Sequence, residues 1–153
     1  MRTSTIAWIV VIVVIILGGV WWYYANSSTT PTPTSTTTTT VVTPAVSVGT
    51  NATLGSVLVA ANGMTLYTFN KDTAGVSNCT GQCLVDWPAY SPVAGVALTA
   101  GRGITGTLAT ITRTDNGATQ LTYKGMPLYF FVQDNAAGDA TGQNQDGFTV
   151  AQP

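Results

Sequence analysis

Gly63-Met64-Thr65-Leu66-Tyr67-Thr68-Phe69-Asn70-Lys71-Asp72 is written twice in this chain, returning as Gly125-Met126-Pro127-Leu128-Tyr129-Phe130-Phe131-Val132-Gln133-Asp134. Both copies read Gly-Met-x-Leu-Tyr-x-Phe-x-x-Asp. The echo runs on: Ala74-Gly75 returns as Ala137-Gly138, Thr80-Gly81-Gln82 as Thr141-Gly142-Gln143, and the aromatic Trp87 as Phe148. A period of roughly 62 residues, drifting by about one, marks a supersecondary unit with its loops rather than a short solenoid repeat.

Around each copy the sequence reads as β-structure. Val57 to Ala61 and Met64 to Phe69 flank Asn62-Gly63, and an Asn-Gly pair between β-rich runs predicts a hairpin on a type I′ turn. In that register Val59 faces Leu66 and Leu58 faces Tyr67. Both faces of the ribbon are then apolar and call for cover on both sides. Val46-Ser47-Val48 supplies a further strand upstream. In the second copy, Leu108 to Thr114, Thr119 to Tyr123 and Met126 to Val132 spell a meander with turns at Asn116-Gly117 and Lys124-Gly125, and Phe148-Thr149-Val150 closes it. No helical period is visible beyond the amino terminus. The expected fold is all-β: two tandem hairpin or meander repeats, at 45–92 and 104–153, packed about a pseudo-two-fold as a small sandwich or open barrel.

The preceding segments are of other kinds. From Ile6 to Tyr24 there is no charge; as a helix the stretch would measure about 28 Å, close to the roughly 30 Å of a bilayer core. Arg2 and the α-amino group flank it, placing residues 1–5 on the cytoplasmic side, and Trp21-Trp22-Tyr23-Tyr24 stands where an interfacial aromatic belt would. Four bulky aromatics replace the small-x-small site of a cleaved signal peptide, so 6–24 is expected to be an uncleaved single-pass transmembrane anchor. Ser27 to Thr40 contains only Ser, Thr and Pro, which makes 25–44 an extended stalk unable to repay the entropy of ordering. The domain at 45–153 would then lie outside the cytoplasm, held at the cell membrane.

Composition narrows the function. The 153 residues include five Lys+Arg, six acidic residues, all of them Asp, and no His. Lys71, Arg102, Arg113 and Lys124 are too scattered to neutralise a phosphate backbone, so nucleic acid is not an expected partner. Without His or Glu the usual general bases and most metal sites are missing, and no catalytic constellation can be assembled.

Within the repeat, Tyr and Phe at i and i+2 share one strand face. The Asp three residues later can accept N–H groups of the Gly-containing loop that follows. Tyr67, Phe69, Asp72 and Tyr129, Phe131, Asp134 therefore read as a structural signature. Together with Cys79-Thr80-Gly81-Gln82-Cys83 and Trp87-Pro88 they resemble the secreted repeat of unknown function, a family of exported proteins and lipoproteins with a Tyr-x-(Phe/Trp/Tyr)-x-x-Asp motif. The likeness covers about residues 54–153. The lipobox Cys that many members carry is absent here, so a lipid anchor is not implied. The resemblance implies an exported location and a repeated architecture, and no activity.

Three places could carry chemistry. Cys79 and Cys83, on the exported side, are expected to form a disulfide that staples the loop; a redox pair and a metal thiolate are the alternatives. The loop bearing Asp134, Asp139, Asn144 and Asp146 is rich in oxygen ligands, which suits Ca²⁺, although its spacing departs from the EF-hand and turn chemistry explains the same residues. Met64 and Met126 recur beside a turn, where core filling is expected over Cu(I) binding. The reading that follows is a membrane-anchored, non-catalytic β-repeat with a surface ligand or structural role. The alternative is an envelope redox or electron-transfer component using Cys79 and Cys83.

Overall fold

The computed structural model describes residues 15–25, 43–93 and 97–153, and divides the chain into two units, Met1–Thr39 and Thr40–Pro153. In the first unit, residues 15–25 form a helix, α1, whose apolar side chains from Ile15 to Tyr24 are largely exposed. At about 1.5 Å per residue these eleven residues span about 17 Å. No helix among the described residues is long and apolar enough to cross a membrane; the rest of the expected span, residues 6–14, and most of the stalk, 26–42, lie outside the described residues.

The second unit is mostly β. Its strands are β1 (Val46–Asn51), β2 (Gly55–Ala60), β3 (Tyr67–Phe69), β4 (Leu108–Thr112), β5 (Thr119–Tyr123), β6 (Met126–Pro127) and β7 (Phe148–Val150). Instead of one sandwich or barrel there are three small antiparallel sheets, ordered β1-β2, β3-β7 and β4-β5-β6. A single helical turn, α2 (Cys83–Asp86), was not expected; it starts on the second cysteine of the Cys79–Cys83 disulfide, whose Cα atoms are 5.4 Å apart.

Strand β2 shows why the sheets must be covered on both sides. Val57 and Val59 enter one hydrophobic cluster, with Tyr67, Phe69, Trp87, Tyr129, Phe131 and Phe148. Leu58 and Ala60, pointing the other way, enter a second cluster with Leu66, Leu121 and Leu128. Period-two alternation between two apolar sets on one strand can be satisfied only by two cores.

The two repeats are interlocked. Strand β3 of the first pairs with β7 of the second, Tyr67 opposite Val150 and Phe69 opposite Phe148. In return, the motif segment of the second repeat pairs with the end of the first: Tyr90 N–H donates to Leu128 O at 2.9 Å and Phe130 N–H to Pro88 O at 2.8 Å. At the centre the two motif tyrosines exchange backbone hydrogen bonds, Tyr67 N–H to Tyr129 O at 2.9 Å and Tyr129 N–H to Tyr67 O at 3.0 Å. The pseudo-two-fold axis passes between them. The closing strand at 148–150 was expected to complete its own repeat; it completes the other one.

The first hairpin also departs from expectation. Gly63 N–H donates to Ala60 O and Ala60 N–H to Met64 O, both at 2.9 Å, enclosing a three-residue loop in which Gly63 alone has positive φ. A type I′ turn needs two such residues. The three-residue loop shifts the register by one, so that Leu58 O accepts from Leu66 N–H and Val59 bridges Thr65. The type I′ signature lies instead at Lys124 and Gly125, with φ of 51° and 81° and Tyr123 directly opposite Met126. One extra residue, Ala61, distinguishes the first hairpin from the second.

Candidate functional site

The motif residues meet across the pseudo-two-fold. Tyr67 OH donates to Asp134 Oδ2 at 2.7 Å, and Tyr129 OH donates to Asp72 Oδ2 at 2.7 Å. Each tyrosine thus bonds the aspartate of the other repeat, and all four residues are buried. The second carboxylate oxygen holds the loop that follows its own strand, as expected. Asp72 Oδ1 accepts Asn78 N–H at 2.7 Å; Asp134 Oδ1 accepts the N–H of Thr141 at 2.9 Å and its hydroxyl at 2.6 Å.

Between these crossed pairs runs a column of four stacked rings. Phe69 stacks on Phe148 (centroids 4.3 Å apart), Phe148 on Trp87 (3.9 Å) and Trp87 on Phe131 (4.3 Å). The axis that exchanges Phe69 with Phe131 exchanges Trp87 with Phe148, so the column is symmetric about its middle. Tyr67 meets Trp87 edge-on at 5.3 Å, and Tyr129 meets Phe148 edge-on at 5.2 Å. Such ring pairs contribute about 0.5–1.5 kcal/mol each beyond their burial.

Burial is the largest influence on the tyrosine hydroxyls, and a carboxylate neighbour adds to it by disfavouring the phenolate. Tyr129 is pushed up to about 12, and Tyr67 is raised as well. Burial also raises the Asp72 carboxyl, against the opposing pull of Asn78 N–H, Tyr129 OH and the positive charge of Arg113.

Arg113 is the residue the sequence did not single out. It is 3% exposed and reaches from the end of β4 over the loop of the first repeat. Its Nη1 donates to Ser77 Oγ at 2.7 Å and Gln120 Oε1 at 2.6 Å; its Nη2 donates to Cys79 O at 2.6 Å and Asp115 Oδ2 at 3.0 Å. Ser77 Oγ in turn lies 2.5 Å from Tyr129 OH. A continuous polar chain therefore runs from Asp115 through Arg113, Ser77 and Tyr129 to Asp72. Its sequence signal was positional: Arg113 falls one repeat period after Asn51, and Asn51 reaches over the opposite loop to donate to Gly138 O at 2.8 Å.

The carboxylates of the acidic loop are engaged by separate partners. Among the described residues no three His, Cys, Asp or Glu side chains form a metal-holding group. Asp134 is engaged by Tyr67 and Thr141. Asp139 Oδ2 accepts the N–H groups of Asn135 and Ala136 at 2.9 and 2.8 Å, and Asp146 Oδ2 faces the Trp87 indole N–H at 3.4 Å. Asn144 and Asp146 take positive φ, 62° and 51°, a conformation these residue types tolerate. These side chains bond within the domain, in the way turn residues do. Met64 and Met126 are half-buried beside their turns.

This geometry defines a class: an all-β domain built from two interlocked copies of one unit, with the repeated motif as the interlock. A family model described as a secreted repeat of unknown function matches residues 49–90 and 109–150. The two matches cover more than half of the chain, and the chain belongs to this family. No curated protein and no solved structure matches it.

Proposed function

We propose that this protein is a non-catalytic, membrane-tethered module of the cell exterior, in which a rigid interlocked β domain serves a structural role or presents a surface to a ligand or protein. The observation that carries the reading is how the motif is used. Tyr67, Asp72, Tyr129 and Asp134 are buried and bonded to one another, so the most chemistry-bearing residues of the repeat hold the fold together. The Cys79–Cys83 bridge joins the buried cluster through Cys79 and fits a staple for the exterior, where thiols oxidise. Exported repeats of this family support the location, and the charge-free stretch Ile6 to Tyr24 supports a single-pass tether.

The test is made on whole cells. The domain should be digested by added protease only when the outer surface is accessible. The chain should stay with the membrane pellet through an alkaline carbonate wash. Release of the domain into the medium as a soluble chain would overturn the tether. Turnover of a surface polymer by the purified chain would overturn the non-catalytic assignment.

A further inference from the structure

The two halves fasten their loops from the same position with different side chains. Leu58 O accepts from Leu66 N–H as Leu121 O accepts from Leu128 N–H, which makes Leu58 and Leu121 equivalent. Counted along the ladders from there, Gly49 opposite Val57 matches Ile111 opposite Gln120. Two residues further on, Asn51 and Arg113 stand at one place in the two halves. Arg113 carries a guanidinium there, and four acceptors receive it: Ser77 Oγ, Gln120 Oε1, Cys79 O and Asp115 Oδ2. Asn51 is shorter, and its amide donates to one acceptor, Gly138 O at 2.8 Å.

Beside the shorter residue lies a cleft of about 390 Å³, within the roughly 300–1,000 Å³ of small-ligand sites. Asn51, Thr53, Asp139, Thr141 and Gln143 supply its polar lining, and Leu54 and Ala140 its apolar lining. The charges of the two halves differ in step. The one ion pair among the described residues joins Arg113 to Asp115, so the first half brings its own cation. In the second, Thr53 stands where Asp115 does and Val57 where Gln120 does. Asp134 and Asp139 there are paired with no Lys or Arg among the described residues. Asp139 Oδ2 accepts two backbone N–H groups of its own loop; Oδ1 has no hydrogen-bond partner among the described residues, and the half-buried side chain borders the cleft. A hard metal ion asks for several oxygen ligands at once. A guanidinium is more weakly hydrated and needs only a carboxylate oxygen with neutral acceptors around it.

We infer that this cleft is a binding site for an alkylguanidinium from outside the domain, with the charge on Asp139 and the alkyl stem against Leu54 and Ala140. The first half displays the same chemistry filled from within: Arg113 is the internal counterpart of the ligand, and the residue that would supply it in the second half is an asparagine. A long cationic side chain ordinarily lays its stem on apolar surface and keeps its head on polar groups, which the mixed lining of the cleft allows. The group is carried by an arginine of a partner protein or by a free guanidino compound, and the recognition is the same for both. The inference rests on the reading of the domain as a non-catalytic surface module and names what that surface takes.

The test is a titration of the isotope-labelled full chain in detergent, followed through its backbone amide NMR shifts. N-acetylarginine methylamide should move the amides of Thr53 and of Gly138 to Gln143 saturably, with the millimolar affinity expected of so small a ligand. The citrulline analogue, alike in shape and uncharged, should bind about fivefold more weakly or worse. Asp139→Asn keeps an oxygen for the N–H groups of Asn135 and Ala136 and should weaken the arginine probe by about the same factor. Asn51→Arg supplies the guanidinium from within, as the other half does, and should abolish binding; it tests the cleft even if the Asp139 variant fails to fold. If methylguanidinium binds as tightly as an arginine tripeptide, the site takes free guanidino compounds; if the tripeptide binds more tightly, it takes an arginine of a partner chain. The absence of a saturable shift overturns the inference, and so does equal binding of the citrulline analogue or undiminished binding by Asn51→Arg. Turnover and membrane attachment are measured separately, so a failed titration is distinguishable from a failure of the non-catalytic, tethered reading.

Discussion

The loop after the first motif and the loop after the second begin alike and are secured differently. Both start from a buried Asp that accepts a tyrosine hydroxyl from the opposite repeat and a backbone N–H of its own loop. Over the first loop lies a buried arginine, and the loop is stapled by the Cys79–Cys83 disulfide. Over the second lies the half-buried Asn51, and Thr141 contributes a hydroxyl. The backbone scheme survives duplication because the two halves hydrogen-bond each other, and a change in either copy's strands would spoil both. Side chains outside that exchange are free to diverge, and here one half has acquired a cation where the other has an amide.

The comparison breaks most completely at its shared centre. Trp87 is 1% exposed and stacks on one ring from the motif strand and one from the closing strand of the second repeat. Trp87→Ala should remove about 3–5 kcal/mol, a large share of the stability of a domain this size. Phe148→Ala, its symmetry mate, should lose nearly as much. Urea unfolding of both variants measures the pair. A loss below about 1 kcal/mol for either would mean that the column is not the common support of both halves.

The next test separates the halves. Arg113→Ala would leave Gln120 Oε1 and the carbonyl of Cys79 without their donor inside the domain, and should destabilise by about 3 kcal/mol or more. Asn51→Ala loses the bond to Gly138 and the Asn51 Oδ1 contacts to Thr53 and Leu54 N–H, at a position where water can substitute, and should lose about 1 kcal/mol. Equal losses by denaturant melts would show the arginine to be no stronger a fastening than the amide.

How much of this was legible beforehand depended on the range of the interaction. Strands were readable from alternation, and the aspartate-to-loop bonds from local turn chemistry, because both lie within a few residues. The crossing was not readable. Phe148-Thr149-Val150 is as good a partner for Met126 to Val132 as for Tyr67 to Phe69, and two copies of one pattern cannot say which copy each pairs with. Arg113 is not legible as a core residue because an isolated cation in a sequence is ordinarily a solvated one; its burial follows from the loop of the other repeat, far away in the chain. The Asn62-Gly63 turn failed for a still smaller reason, the single additional residue Ala61.

A finer contrast lies in the tyrosines. The Asp72 carboxylate that Tyr129 holds also feels Arg113, whereas the Asp134 carboxylate that Tyr67 holds is met by neutral donors, the N–H and hydroxyl of Thr141. Tyr67→Phe should therefore cost more than Tyr129→Phe, within the range of about 1.5–3 kcal/mol for a hydrogen bond to a charged group. The pH dependence has a fixed sign. A tyrosine whose folded pKa lies above its unfolded value of about 10 contributes stability that is whole below that pH and is lost as pH rises through the folded value. For Tyr129 that window runs from about 10 to about 12. Wild-type midpoints should fall across it, and each Tyr→Phe variant should fall less steeply. A wild-type midpoint flat from pH 10 to 12 would remove the buried hydroxyls from the account.

The smallest effect is expected where the two halves differ by one residue. Deleting Ala61 leaves Asn62-Gly63 between Ala60 and Met64, the same two-residue arrangement that Lys124-Gly125 makes between Tyr123 and Met126. Both turn glycines already occupy matching places: a Cβ on Gly63 would lie 3.1 Å from Ala137 Cβ, and one on Gly125 would lie 3.3 Å from Ala74 Cβ. Each turn thus ends against the small residue of the opposite loop whatever its length. Asn-Gly is also better suited to two positive φ angles than Lys-Gly, since a left-handed Lys is strained by roughly 1 kcal/mol. The deletion should therefore change stability by less than about 1 kcal/mol, with either sign allowed, and leave the tyrosine titration in place. A loss of several kcal/mol would show that the three-residue loop is needed to seat β2 against β3.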